Sequence, residues 1–214
     1  MNSSMRIWIV ASMVSVSMTA KMPHEMAPGA TLQVRVYDAA QVKPHVLALA
    51  KTEAARIFKA GGINVTWDLP TVEAAEDRGL DMSVRPTITD SRHYVVVRIA
   101  RDTAATVFPG ALGFALPFAG TGAHATIFYD RIETVRWVFN TDEYIILGDA
   151  MAHEIGHVLL RSSKHAVAGM MQAHWDEASW RLASAGQLSF LPAERAAMGE
   201  AVRALTNPVT GHLD

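Results

Sequence analysis

Apolar and polar residues alternate through Leu32-Gln33-Val34-Arg35-Val36-Tyr37, the two-residue period of a strand with one buried face. The period then lengthens. Val46, Leu47, Ala50, Ala54, Ile57 and Phe58 recur at helical spacing behind Pro44, which suits a first turn, and Gly61-Gly62 stop the run. Ile63-Asn64-Val65-Thr66-Trp67 reads as strand again, so the three pieces predict a βαβ unit with parallel strands. Residues 68–91 are polar, hold Pro70 and Pro86, and predict an irregular surface segment. Tyr94-Val95-Val96-Val97-Arg98-Ile99 is the most strand-like stretch and suits the centre of a sheet. Between Pro109 and Pro117 a short extended piece lies among glycines. Proline beside a short strand favours a sheet edge, where a missing donor does no harm.

Ala125 to Asp130 predicts a further strand. Asn140 and Glu143 are spaced as a capping box. From Tyr144 to Leu160 the only charged residues are Asp149 and Glu154, and a helix this apolar all round belongs in a core. A loop follows, then a last helix with Pro192 in its first turn and Met198, Val202 and Leu205 on one face, ended by Asn207-Pro208.

The chain has 214 residues, half of them hydrophobic and 19% charged, which predicts one folded domain over 31–214. A formal charge of −2 without any basic run argues against a nucleic-acid partner. Cysteine is absent, which excludes disulfides, thiolate metal sites and cysteine nucleophiles. Residues 1–20 resemble a secretory signal: Arg6 precedes an uncharged stretch ending in small residues, and the apolar run is too short to span a bilayer. Residues 21–30 then form a leader, and the mature chain is secreted or periplasmic. The alternative is a buried N-terminal element of a cytoplasmic protein.

The chemistry lies at His153-Glu154-Ile155-Gly156-His157. Residues four apart on a helix share a face, so both imidazoles can approach one zinc ion at about 2.0–2.1 Å. Glu154, between them, can touch an attacking water without being a ligand. A lone histidine in an apolar helix is more often a satisfied core residue. Three ionisable groups within five positions are different, because burying them unpaired costs several kcal/mol and a metal satisfies all three. A catalytic zinc takes three protein ligands and leaves a position open. His165 follows eight residues after His157, beyond the polar Arg161-Ser162-Ser163-Lys164, and Gly169-Met170-Met171 comes next.

With these residues the sequence resembles the metzincin clan of zinc metallopeptidases, whose pattern is H-E-x-x-H-x-x-G-x-x-H followed by a methionine turn. It also resembles small bacterial metzincin-like proteins sharing H-E-I-G-H-x-L-L, S-x-H and G-x-M before a tryptophan. The resemblance implies an α+β, zincin/metzincin-like fold: a mixed twisted sheet, an active-site helix, then a small, mainly helical C-terminal part. It also implies Zn2+ held by His153, His157 and His165, Glu154 as general base, and Met171, or else Met170, beneath the metal. A peptide or protein substrate would lie along the edge at Gly113-Phe114-Ala115. The chain departs from the clan's pattern in holding Leu160 where the turning glycine stands, and its third histidine arrives two residues late.

Glu177, on a following helix as in thermolysin-like zincins, and His174 are rival third ligands. Tyr129 and Tyr144 are candidate oxyanion donors, while His24, His45, His93, His124 and His212 read as surface or structural. The expected activity is that of a monomeric zinc metalloendopeptidase. The alternative is a zinc-binding domain on the same scaffold without turnover.

Overall fold

The structure is a computed structural model that describes residues 30–68, 94–101, 108–117 and 123–206. The expected signal, the leader before Ala30, nearly all of the polar segment after Trp67, Asn207-Pro208, His24, His93 and His212 lie outside the described residues. The chain runs through β1 (Ala30–Asp38), α1 (Pro44–Ala60), β2 (Ile63–Asp68), β3 (Tyr94–Ala100), β4 (Gly113–Leu116) and β5 (Ala123–Phe128). Four helices follow, α2 (Tyr129–Phe139), α3 (Glu143–Leu160), α4 (Glu177–Ser184) and α5 (Pro192–Thr206).

The strands make one mixed sheet in the order β2-β1-β3-β5-β4, parallel except for the antiparallel edge β4. The expected parallel βαβ unit, the central β3 and the β4 edge are all present. Register aligns Val34 with Val95, Val36 with Val97, Val97 with Ala125 and Ile99 with Ile127, so these apolar side chains share one face. That face is the core, and α1 and α3 cover it. The two helices cross closely at Gly148, where a Cβ would stand 2.7 Å from the Ala50 carbonyl oxygen and 2.8 Å from the Glu53 Cβ. Gly113 and Ala115 pair with Ile127 and Ala125 and therefore face α3, whereas Phe114 and Leu116 face away.

Two expectations are corrected here. The strand expected to run to Asp130 ends at Phe128, and residues 129–139 form the unanticipated helix α2. Its inward face amounts to Tyr129 and Ile132, while Trp137 and Val138 are exposed, so its hydrophobic pattern does not follow its burial. The capping box is not formed either. Asn140 closes α2 in a left-handed conformation (φ 49°, ψ 42°), and Asp142 opens α3 without a side-chain cap. Glu143 turns elsewhere: it accepts from the Tyr129 hydroxyl and, at 3.0 Å, from Arg136 Nη1. No described helix is long and apolar enough to cross a membrane.

Candidate metal centre

Helix α3 lies in the core along most of its length, and His153, Glu154 and His157 are each less than a tenth exposed. The helix ends where Arg161 adopts a left-handed conformation (φ 48°) and the Ser162 N–H reaches back to the His157 carbonyl at 3.2 Å. Leu160, which stands where the clan's pattern has glycine, does not make this turn. The turn comes one residue later and is made by an arginine, in a conformation that costs a non-glycine residue about 1–3 kcal/mol. The chain then brings His165 back over the helix.

The three imidazoles converge. His157 Nε2 lies 3.1 Å from His153 Nε2 and 3.3 Å from His165 Nε2. Three nitrogens at zinc-bond length in tetrahedral array stand about 3.3–3.4 Å apart; the two spacings at His157 match that, and the ligand atoms of all three rings lie within 4.8 Å of one another. The opposite ring nitrogens fix the tautomers. His153 Nδ1 donates to the Met170 carbonyl at 2.8 Å and His157 Nδ1 to the Ser162 carbonyl at 2.7 Å. A carbonyl only accepts, so the proton sits on Nδ1 and each Nε2 lone pair points to the common centre. Burial keeps the rings neutral: desolvation pushes His153 down to about 4 and also lowers His157 and, less buried, His165. Among the described residues these three form the group that can hold a metal ion, and the donor set fits Zn2+.

Glu154 projects from the same helix toward the sheet edge. A Cβ on Gly113 would stand 2.5 Å from the Thr126 carbonyl oxygen, and 3.0 Å from Glu154 Cγ and 3.1 Å from Oε1, so glycine lets β4 lie tight against β5 with the carboxylate beside it. Glu154 Oε2 is buried without a hydrogen-bond partner, and desolvation pushes this carboxyl up to about 8. A nearby cation would favour its charged form.

The turn Gly169-Met170-Met171 packs against the same helix. Gly169 turns with φ +78°, Met170 N–H donates to the Ser189 carbonyl at 2.9 Å, and Ala166 N–H donates to the Met171 carbonyl at 2.8 Å. Met171 is buried with Sδ against Gly156, where a Cβ would come within 2.7 Å of the sulfur and 2.9 Å of Phe190. Met170 contributes its carbonyl to His153, so the two methionines do different things.

The rival residues are not part of this group, although His174 lies near enough to His165 to help lower its pKa. Glu177 is exposed in the first turn of α4 with Arg181 at 3.9 Å, and His174, also exposed, is outside the convergent group. Tyr129 gives its hydroxyl to Glu143 at the far end of α3. At ~1.5 Å per residue that end is about 15 Å from His153, so neither Tyr129 nor Tyr144 is an oxyanion donor. Sequence reasoning missed the part Gly156 plays. The signal was there, since a glycine inside a core helix marks a close approach.

A mixed α+β sheet is covered by a buried helix, with three convergent imidazoles at the helix end and the loop beyond, and the fold is of the zincin/metzincin-like kind. The chain superposes on a zinc-dependent peptidase from Methanocorpusculum labreanum (strain Z) with TM-score 0.50 and 12% identity, covering 77% of this chain and 99% of that one. It is similar to archaemetzincin from Methanopyrus kandleri at TM-score 0.49 and 12% identity, over 83% and 98% of the two chains. It also matches metalloproteinase-II from Bacteroides fragilis at TM-score 0.47 and 14% identity, over 84% of this chain and 55% of that longer one. No protein-family model matches the sequence, and no curated protein matches it. The likeness is one of fold.

Proposed function

We propose that this protein is a zinc metallopeptidase that cleaves within peptide chains. The observation that carries the reading is the convergence of three imidazoles, with His157 Nε2 lying 3.1 Å from His153 Nε2 and 3.3 Å from His165 Nε2, one residue along the chain from a buried, unpartnered carboxyl oxygen. Bound there, a zinc ion supplies Lewis acidity, which polarises a carbonyl and acidifies water. His153, His157 and His165 hold it, and Met171 supports the helix from below. Glu154 takes the proton of the attacking water and returns it to the leaving amine. A carboxylate is not needed to grip the ion, so its presence favours turnover over a purely structural site.

The sheet edge supplies a place for substrate. Phe128 N–H donates to the Leu112 carbonyl at 2.8 Å. In an antiparallel ladder the bonded pairs alternate, so Phe114 and Leu116 also bond toward β5. Gly113 and Ala115 then turn both N–H and C=O to the open edge, beside Glu154. Pro117 has no N–H and ends the row. An extended peptide added here pairs with Gly113 and Ala115. The zinc-dependent peptidase from M. labreanum shares the fold, which supports the same reading.

The test is digestion of a broad peptide library by the full chain, with and without a zinc chelator, alongside Glu154→Gln. Chelator-sensitive cleavage that falls about 10²- to 10⁴-fold in Glu154→Gln, with zinc retained, is the expected result. Chelator-sensitive cleavage undiminished in the variant contradicts the assigned base. Zinc binding without cleavage of any peptide favours the second reading, a zinc domain without turnover, which the longer path from His157 to His165 supports.

A further inference from the structure

Trp175 lies four residues beyond Met171, and the metal-binding reading above, on which this inference rests, gives it no part. Its indole edge nevertheless meets the site from below. Trp175 Nε1 donates to the Met170 carbonyl at 3.3 Å, the oxygen that also accepts from His153 Nδ1 at 2.8 Å. The Trp175 and His153 rings stand edge to face with centroids 5.6 Å apart. One carbonyl, with two lone pairs, is thus shared by a histidine and an indole.

That carbonyl has little freedom. The Met170 N–H is tied to the Ser189 carbonyl at 2.9 Å. Gly169, just before it, has its back against the Ser189 oxygen, where a Cβ would stand at 2.8 Å. Trp175 packs edge to face on Trp180 at 5.2 Å, and Trp180 is buried with Phe139 at 5.5 Å. Those rings fill the space behind Trp175, while the N–H on the oxygen that orients His153 is Trp175's own. We propose that Trp175 is a positioning residue for the metal centre: its indole N–H fixes the Met170 carbonyl, and through it the tautomer and tilt of the His153 ring. Groups that hold a metal ligand's second nitrogen typically alter affinity by about 10- to 100-fold.

Trp180 provides a matched control, because its Nε1 is buried without a hydrogen-bond partner. Apoprotein of wild type, Trp175→Phe and Trp180→Phe is titrated with zinc in competition with a chromogenic chelator. The expected result is about tenfold weaker zinc binding in Trp175→Phe, which keeps a ring but loses the N–H, and affinity within twofold of wild type in Trp180→Phe. Equal affinity in Trp175→Phe, or equal weakening in both variants, overturns the inference. A wild type that binds no zinc overturns the metal reading along with it, and that failure is distinct. A readout on unmutated protein stands beside the variants, should Trp175→Phe not fold. In the zinc-loaded chain the Trp175 indole N–H resonance is expected to be protected from solvent exchange, and free exchange overturns the proposal.

Discussion

Helix α3 buries polar side chains at both ends and treats them in opposite ways. At its start both Glu143 oxygens are answered, one by the Tyr129 hydroxyl and the other by Arg136 at 3.0 Å. Ten residues on, His153 and His157 present unprotonated Nε2 atoms to a common centre, and Glu154 Oε2 has no partner. The first cluster ties α2 to α3 and is complete within the chain. The second is incomplete by the same accounting: the histidine Nε2 atoms meet at a common centre, and the Glu154 oxygen is unanswered. Burial alone does not separate architecture from function in this helix; the direction of the unspent lone pairs does.

The largest effect belongs to the second cluster. His157 is the ring within 3.3 Å of both others, so His157→Ala removes the shared corner of the site. Zinc affinity is expected to fall more than about 100-fold, beyond the range typical of outer contacts, with the apoprotein still folded. Retained affinity, read by chelator competition, breaks the comparison at once.

At the other end, Tyr129→Phe leaves a Glu143 oxygen buried without its donor. The expected loss is about 1–3 kcal/mol of stability by denaturant unfolding, with zinc affinity within twofold of wild type. A change in zinc affinity without a change in stability would invert the roles assigned to the two ends.

Asp149 lies between them and sharpens the contrast. Both its oxygens are buried without partners, and desolvation, then the like charge of Glu53, raises its pKa well above the usual carboxylate value against the pull of Arg56. An acid whose folded pKa exceeds its unfolded value, about 3.9, keeps its proton in the native state while the unfolded chain gives it up. Stability is therefore lost as pH rises above about 4, until the folded pKa is passed. Asp149→Asn removes that dependence. Its Tm advantage over wild type is expected to widen from pH 4 to pH 7, at roughly 2–4 °C per ~1 kcal/mol. A constant difference across that range contradicts the buried-acid account.

Much of this was legible in the sequence, for local reasons. The alternation in β1, the apolar run in β3 and the prolines around β4 placed three strands correctly, because each pattern reports burial of the residue that carries it. His153 and His157 were legible because a four-residue spacing needs only a helix to bring two rings together. Helix α2 was hidden because its exposed face carries Trp137 and Val138. The turn at Arg161 was hidden because an arginine holds a conformation that glycine usually marks. The Trp175 contact is of another kind. It depends on the turn at Met170, 17 residues beyond His153, folding back beneath that ring, and no local pattern announces it.

The most direct test of the central claim is zinc-edge X-ray absorption on protein loaded with one equivalent of zinc. Three imidazole nitrogens at about 2.0–2.1 Å, with a lighter oxygen shell completing the coordination, are expected. Fewer than three imidazoles around the ion, or zinc lost on gel filtration, would contradict a site built from His153, His157 and His165.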